Sequence, residues 1–214
     1  SNPSEVGDEA VLLSNKTQSM VVSSSNRVES TKFCDTNQVD FIIHDDGLQH
    51  YSLNRQYEFI IENTNKRDNN FLLPCGPFRE PKFFHKNADF ILSNYTGSEH
   101  PGFYSRISSV SSAVDRTKYD LDDKKFSSCI LITAIADDFS LVKELKEHDI
   151  ELITYKYPDH YQFRESDIPK ANQPILVTEK DFVKIKLFCN ENVYILEQNI
   201  IPNDKLLKLM EKLS

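Results

Sequence analysis

At 214 residues, with 39% hydrophobic and 11% aromatic side chains, the chain can fill one large core or two small ones, which excludes intrinsic disorder. A formal net charge of -8 excludes a global positive field that would gather nucleic acid or anionic headgroups, so contacts with phosphate or membrane must come from a local patch. The four cysteines, Cys34, Cys75, Cys129 and Cys189, form no CxxC pair, and no apolar run is long enough to cross a bilayer; a zinc ribbon, a compact disulfide framework and a transmembrane segment are all disfavoured.

In chain order, residues 9–16 and 26–33 carry helical patterns, while residues 20–23, 39–44, 58–62 and 88–93 read as short apolar strands. This alternation predicts an α/β layer around a parallel sheet. Between 95 and 125 the composition shifts toward Ser, Gly, Asp and Lys, with a candidate strand at 103–110, which predicts a domain over 1–94, a linker over 95–125 and a smaller second α/β domain over 126–214. Strands at 129–134, 151–155, 175–178 and 193–196 and helices at 138–148, 166–171, 180–188 and 203–213 are expected in that second domain.

Five segments carry chemistry. Near the start, Gly7-Asp8-Glu9 precedes a helix, where Asp8 is also an ordinary capping residue. Phe41-Ile42-Ile43-His44-Asp45-Asp46-Gly47 reads as an apolar strand ending in two acids; ligands bind beyond the carboxyl ends of strands in open α/β sheets, and a strand-end Asp is the arrangement that holds Mg²⁺ on nucleotide phosphates. The same residues are equally a turn signal, and His44, Asp45, Asp46 and His50 offer nitrogen and oxygen donors to a transition metal. Leu72-Leu73-Pro74-Cys75-Gly76-Pro77-Phe78-Arg79-Glu80-Pro81 is a rigid loop whose Arg79 presents a planar fork suited to phosphate, or an Arg79 to Glu80 surface pair. Tyr157-Pro158-Asp159-His160-Tyr161 follows a strand and places an acid beside a histidine tunable for proton transfer, although a solvent-facing loop histidine fits as well. Thr178-Glu179-Lys180-Asp181 reads as a strand end and a helix cap, with Thr178 as the capping side chain and Lys180 within reach of a phosphate.

Taken in order, Val6-Gly7-Asp8-Glu9-Ala10, Asp45-Asp46-Gly47-Leu48-Gln49-His50-Tyr51, Leu72 to Pro81, Asp159-His160 and Thr178-Glu179-Lys180-Asp181 resemble the tetraacyldisaccharide 4'-kinase family of Gram-negative bacteria along nearly the whole chain. The resemblance implies a P-loop kinase sheet followed by a smaller α/β domain. It further implies transfer of the γ-phosphate of ATP, with Mg²⁺, to the 4'-hydroxyl of an acylated glucosamine disaccharide lipid in lipid A biosynthesis. The complete protein would touch the cytoplasmic face of the bacterial inner membrane peripherally, with no nucleic-acid partner. By motif, Asp8 resembles the catalytic base with Glu9 beside it in the cofactor site, Asp45 and Asp46 the acidic pair that manages Mg²⁺, Arg79 a phosphate contact, and His160 the partner of the base, supplied by the second domain.

Departures from the family pattern shape the expectation. The chain has no glycine-rich loop followed by Lys and Ser or Thr, residues 66–71 lack the glycines usual before Leu-Leu-Pro, and Ala134-Ile135-Ala136-Asp137 stands where a glycine-containing turn is common. These residues are therefore expected to be the remainder of a P-loop kinase domain and its second domain, an incomplete catalytic unit that folds at least in its second domain yet neither binds ATP tightly nor transfers phosphate. Two other readings are a noncatalytic remnant that binds the lipid disaccharide or a partner, and a metal-dependent phosphohydrolase built on His44, Asp45, Asp46 and His50.

Overall fold

Apolar strands and short helices alternate to give an α/β fold with mainly parallel strand pairing. The computed structural model describes residues 7–62, 71–76, 78–94, 100–135, 138–159 and 161–213, apart from the side chains of Asp8, Lys82 and Phe84. In chain order these residues form α1 (Asp8–Lys16), α2 (Arg27–Thr36), β1 (Phe59–Glu62), β2 (Phe90–Asn94), β3 (Gly102–Ser112), β4 (Lys118–Tyr119), β5 (Ser128–Thr133), α3 (Phe139–Glu147), β6 (Glu151–Lys156), β7 (Ile175–Thr178), α4 (Glu179–Ile185), β8 (Val193–Pro202) and α5 (Asp204–Leu213). They fall into two compact units, one made of Ser1–Ser25 with Arg106–Asn199 and the other of Asn26–Ser105 with Ile200–Ser214. Each unit joins two separate stretches of chain, a grouping that composition, which sees only neighbours along the sequence, does not register.

In the first unit the strand order is β3-β8-β7-β5-β6, with β4 antiparallel on β3 and parallel pairing of β5 with β6 and β7 and of β7 with β8. Successive residues of a strand point to opposite faces, and both faces of the central strands β5 and β7 are covered, so these two read as unbroken apolar runs. Leu131, Leu176 and Leu196 pack on one side with Phe126 and with Leu141 and Leu145 of α3, while Ile130, Ile132, Ile175, Val177 and Ile195 pack on the other with Ile185 of α4. Each such fully buried side chain contributes roughly 1.5–3 kcal/mol. α1 packs against α4.

In the second unit β1 and β2 run parallel, and β2 pairs with the start of β3 at Ser93 and Gly102. The side chain of Asn203 receives the Gly102 amide at 3.1 Å and the Leu206 amide at 2.9 Å, so one residue both caps α5 and fixes the strand start.

Three expected elements differ. Residues 20–23 and 39–44 form no strand, and residues 166–171 hold only the end of a short 3₁₀ turn, Glu165–Asp167. A strand needs a neighbour for its backbone hydrogen bonds, and among the described residues nothing pairs with 39–44; Phe41 and Ile43 are 74% and 94% exposed. Asp45 and Asp46 therefore do not end a buried parallel strand. The turn half of the sequence signal describes this backbone, with Asp46 in the left-handed region at φ 51°.

Candidate functional site

The first unit gathers three of the sequence motifs around one lysine. Gly7 stands at the cap position of α1 with φ 88°, a conformation that glycine adopts without strain, and Asp8 and Glu9 open the helix. At the C-terminal end of β7, Thr178 caps α4 by accepting the Asp181 amide at 3.1 Å and donates its hydroxyl to the Asp181 carboxylate at 2.7 Å. Asp181 also accepts the Ala134 amide at 3.2 Å, which ties the end of β5 to the start of α4. Burial pushes the Asp181 carboxyl above the ordinary range, against the pull of these hydrogen bonds.

Lys180, between them, points its ammonium at Glu9 at 3.0 Å and at Asp159 at 3.7 Å. A second ion pair joins the same two helices, Lys16 to Glu179 at 2.5 Å. Glu9 is thus brought together with the Asp159 loop within one unit. The expectation that the base and its helper sit on different domains does not hold for their neighbours, since Glu9 beside Asp8 and Asp159 beside His160 share one compact body. His160 itself lies outside the described residues.

The second unit assembles the other two motifs. Leu73 donates its amide to the Phe78 carbonyl at 2.8 Å and Gly76 to the Leu72 carbonyl at 3.0 Å, which folds the proline-rich loop on itself. Arg79, leaving that loop, lies 3.9 Å from Asp46, both side chains being well exposed. Glu80 pairs instead with Tyr51, whose hydroxyl donates at 2.6 Å; that hydrogen bond raises the Tyr51 pKa. The pairing expected between Arg79 and Glu80 is replaced by these two contacts across loops. Arg55 donates to the Gly47 carbonyl at 2.7 Å and pairs with Glu58 at 2.9 Å, so the Asp-Asp-Gly turn is anchored to the approach of β1.

Asp45 accepts the Asp46 amide at 3.0 Å, and the two exposed carboxylates supply hard oxygen donors of the kind Mg²⁺ takes while keeping several waters. The four-ligand transition-metal arrangement does not assemble. His44 and His50 lie ring beside ring, tilted by 36° with centroids 5.1 Å apart, and no three His, Cys, Asp or Glu side chains converge on a metal position among the described residues. Burial, then the nearby charges of Arg27, His50 and Arg55, lower the His44 pKa.

Sequence reasoning missed Arg55 and Tyr51 as organisers of the acidic turn, and read Lys180 as a cap-region residue within reach of a phosphate rather than as the partner of Glu9 and Asp159. The signal for Lys180 was present: a lysine in the first turn of a helix faces the positive end of its dipole and needs carboxylate partners.

A mainly parallel α/β sheet whose first unit holds a lysine between two carboxylates, and whose second unit sets an arginine beside an acidic turn, has the general α/β class of the P-loop kinases. Residues 1–214 match the family model LpxK, tetraacyldisaccharide-1-P 4'-kinase. The chain belongs to this family. Tetraacyldisaccharide 4'-kinase of Legionella pneumophila strain Corby is 34% identical over 204 residues, covering 93% of this chain and 62% of that protein. The Haemophilus influenzae strain 86-028NP enzyme of the same name is 33% identical over 195 residues, covering 89% and 59%. The chain thus spans about three fifths of the length of these curated relatives. A crystal structure of the "apo" form of LpxK from Aquifex aeolicus in complex with ATP matches with TM-score 0.71 and 25% identity, covering 99% of this chain and 70% of that one. No described helix is long and apolar enough to cross a membrane.

Proposed function

We propose that these residues serve the ATP-dependent phosphorylation of the 4'-hydroxyl of a tetraacyldisaccharide 1-phosphate, a step of lipid A biosynthesis, in a protein that meets the cytoplasmic face of the inner membrane peripherally. The observation that carries this reading is the Glu9–Lys180–Asp159 cluster, which draws three family motifs that are distant in sequence onto one point. Asp8 takes the proton of the 4'-hydroxyl while its oxygen bonds to the γ-phosphorus and the bond to the β,γ-bridging oxygen breaks, releasing ADP. His160 orients and tunes Asp8. Arg79 contacts phosphate with its guanidinium fork, and Asp45 and Asp46 are the residues that would hold Mg²⁺, which would neutralise charge on the nucleotide phosphates.

A phosphotransfer assay with radiolabelled ATP and the lipid disaccharide, run on the complete protein, tests the assignment. Asp8→Ala is expected to lower turnover by roughly 10²–10⁴-fold while leaving MgATP affinity nearly intact, because a base acts on the acceptor hydroxyl. His160→Ala lowers turnover less. Transfer by Asp8→Ala at the wild-type rate overturns the assignment of the base.

A further inference from the structure

Lys180 is at odds with its local surroundings. The first turn of a helix favours carboxylates and disfavours cations, so Lys180 gains nothing from α4 itself. Its ammonium is held instead by two carboxylates from elsewhere in the chain, Glu9 of α1 at 3.0 Å and Asp159 of the loop after β6 at 3.7 Å, and its side chain is only 21% exposed. A surface ion pair of ordinary kind contributes little stability, which leaves the geometry that the pair imposes as its principal effect.

Glu9 is next to Asp8 and Asp159 is next to His160. α1 leaves Gly7 with no side-chain cap, and the turn that carries Asp8 and Glu9 is tied down near its start through Lys180. α4 in turn is anchored to the sheet by the Thr178–Asp181–Ala134 hydrogen bonds. A rigid strand-to-helix corner thus presents a cation that both the first turn of α1 and the Asp159 loop must meet.

We propose that Lys180 is the positioning residue of the acceptor half of the site: it sets the first turn of α1, the turn that opens with Asp8, against the Asp159 loop. The role rests on the phosphotransfer reading above. Lys180 touches neither phosphate nor hydroxyl in this role, and no proton passes through it.

The test compares Lys180→Met and Lys180→Arg with Lys16→Met, which removes the neighbouring Lys16–Glu179 pair between the same helices without touching Asp159. Lys180→Met is expected to lower kcat by roughly tenfold to hundredfold, less than loss of the base itself, with KM for MgATP within about twofold and with the limb of the pH–rate profile that reports the base displaced. Lys180→Arg restores most of kcat, and Lys16→Met leaves it within about threefold of wild type. Hydrogen–deuterium exchange supplies a readout that needs no turnover: Lys180→Met speeds exchange both in the first turn of α1 and in residues 155–159, whereas Lys16→Met speeds it in α1 alone. Should Lys180→Met not fold, Asp159→Asn carries the same comparison from the other side of the pair. All kinetics are measured on the complete protein; a complete wild-type protein that transfers no phosphate would refute the kinase reading and leave the exchange result to judge the clamp. Unchanged exchange in either segment, or an unchanged kcat and pH profile in Lys180→Met, overturns the role of Lys180.

Discussion

Asp181 has no solvent exposure, and its two carboxylate oxygens take the Ala134 amide and the Thr178 hydroxyl. Removing the carboxylate leaves both donors buried without that acceptor, so Asp181→Ala is expected to lower stability by about 2–4 kcal/mol, measured by urea denaturation. Its pH dependence has a definite sign. Burial holds the carboxyl above its ordinary value, so the folded chain binds this proton more tightly than the unfolded chain. The resulting stability is fully present below the ordinary carboxylate pKa and is lost as pH rises through the raised folded value. As pH rises above the ordinary carboxylate value of about 4, the wild type should therefore lose stability relative to Asp181→Asn; a gain would mean that the hydrogen bonds outweigh burial.

At the level of elements, the start of β3 is, among the described glycines, the position least able to accept a side chain. A Cβ built on Gly102 meets the Ser93 carbonyl oxygen at 2.2 Å, and both atoms belong to paired backbone that cannot give way. Gly102→Ala should destabilise the β1-β2-β3 unit by at least about 2 kcal/mol and shift its denaturation midpoint. The contrast between β5 and residues 39–44 explains how much of this architecture was legible. Cys-Ile-Leu-Ile and Ile-Leu-Val-Thr are apolar runs that pair inside a covered sheet, so composition and periodicity placed β5, β6, β7 and β8 to within a few residues at most boundaries. Phe41-Ile42-Ile43 has the same composition but no pairing neighbour among the described residues, and pairing is a long-range fact that no local window contains. The candidate site divides in the same way. Thr178 as cap and the acidic turn at Asp45-Asp46 were readable from local chemistry, whereas the meetings of Arg79 with Asp46, Tyr51 with Glu80 and Lys180 with Glu9 join residues 29 or more positions apart.

For the molecule as a whole, family membership and nucleotide binding are separate questions. The family model spans residues 1–214, yet within them no glycine-rich loop precedes a Lys and a Ser or Thr, and the chain covers 62% of its Legionella relative. Phosphate affinity in P-loop kinases comes from a row of backbone amides and a loop lysine that enclose the β- and γ-phosphates. Two exposed carboxylates and one exposed arginine, the groups that meet at Asp46 and Arg79, would gather a hydrated cation and touch a phosphate without enclosing either. A polypeptide confined to Ser1–Ser214 is therefore expected to bind MgATP no tighter than about millimolar and to transfer no phosphate, since positioning and charge stabilisation are nearly all that a phosphoryl-transfer enzyme contributes. Calorimetric titration with MgATP, alongside the lipid phosphorylation assay, measures this directly. Micromolar binding would locate a complete nucleotide site within these residues and require a phosphate cradle built from groups other than a glycine-rich loop.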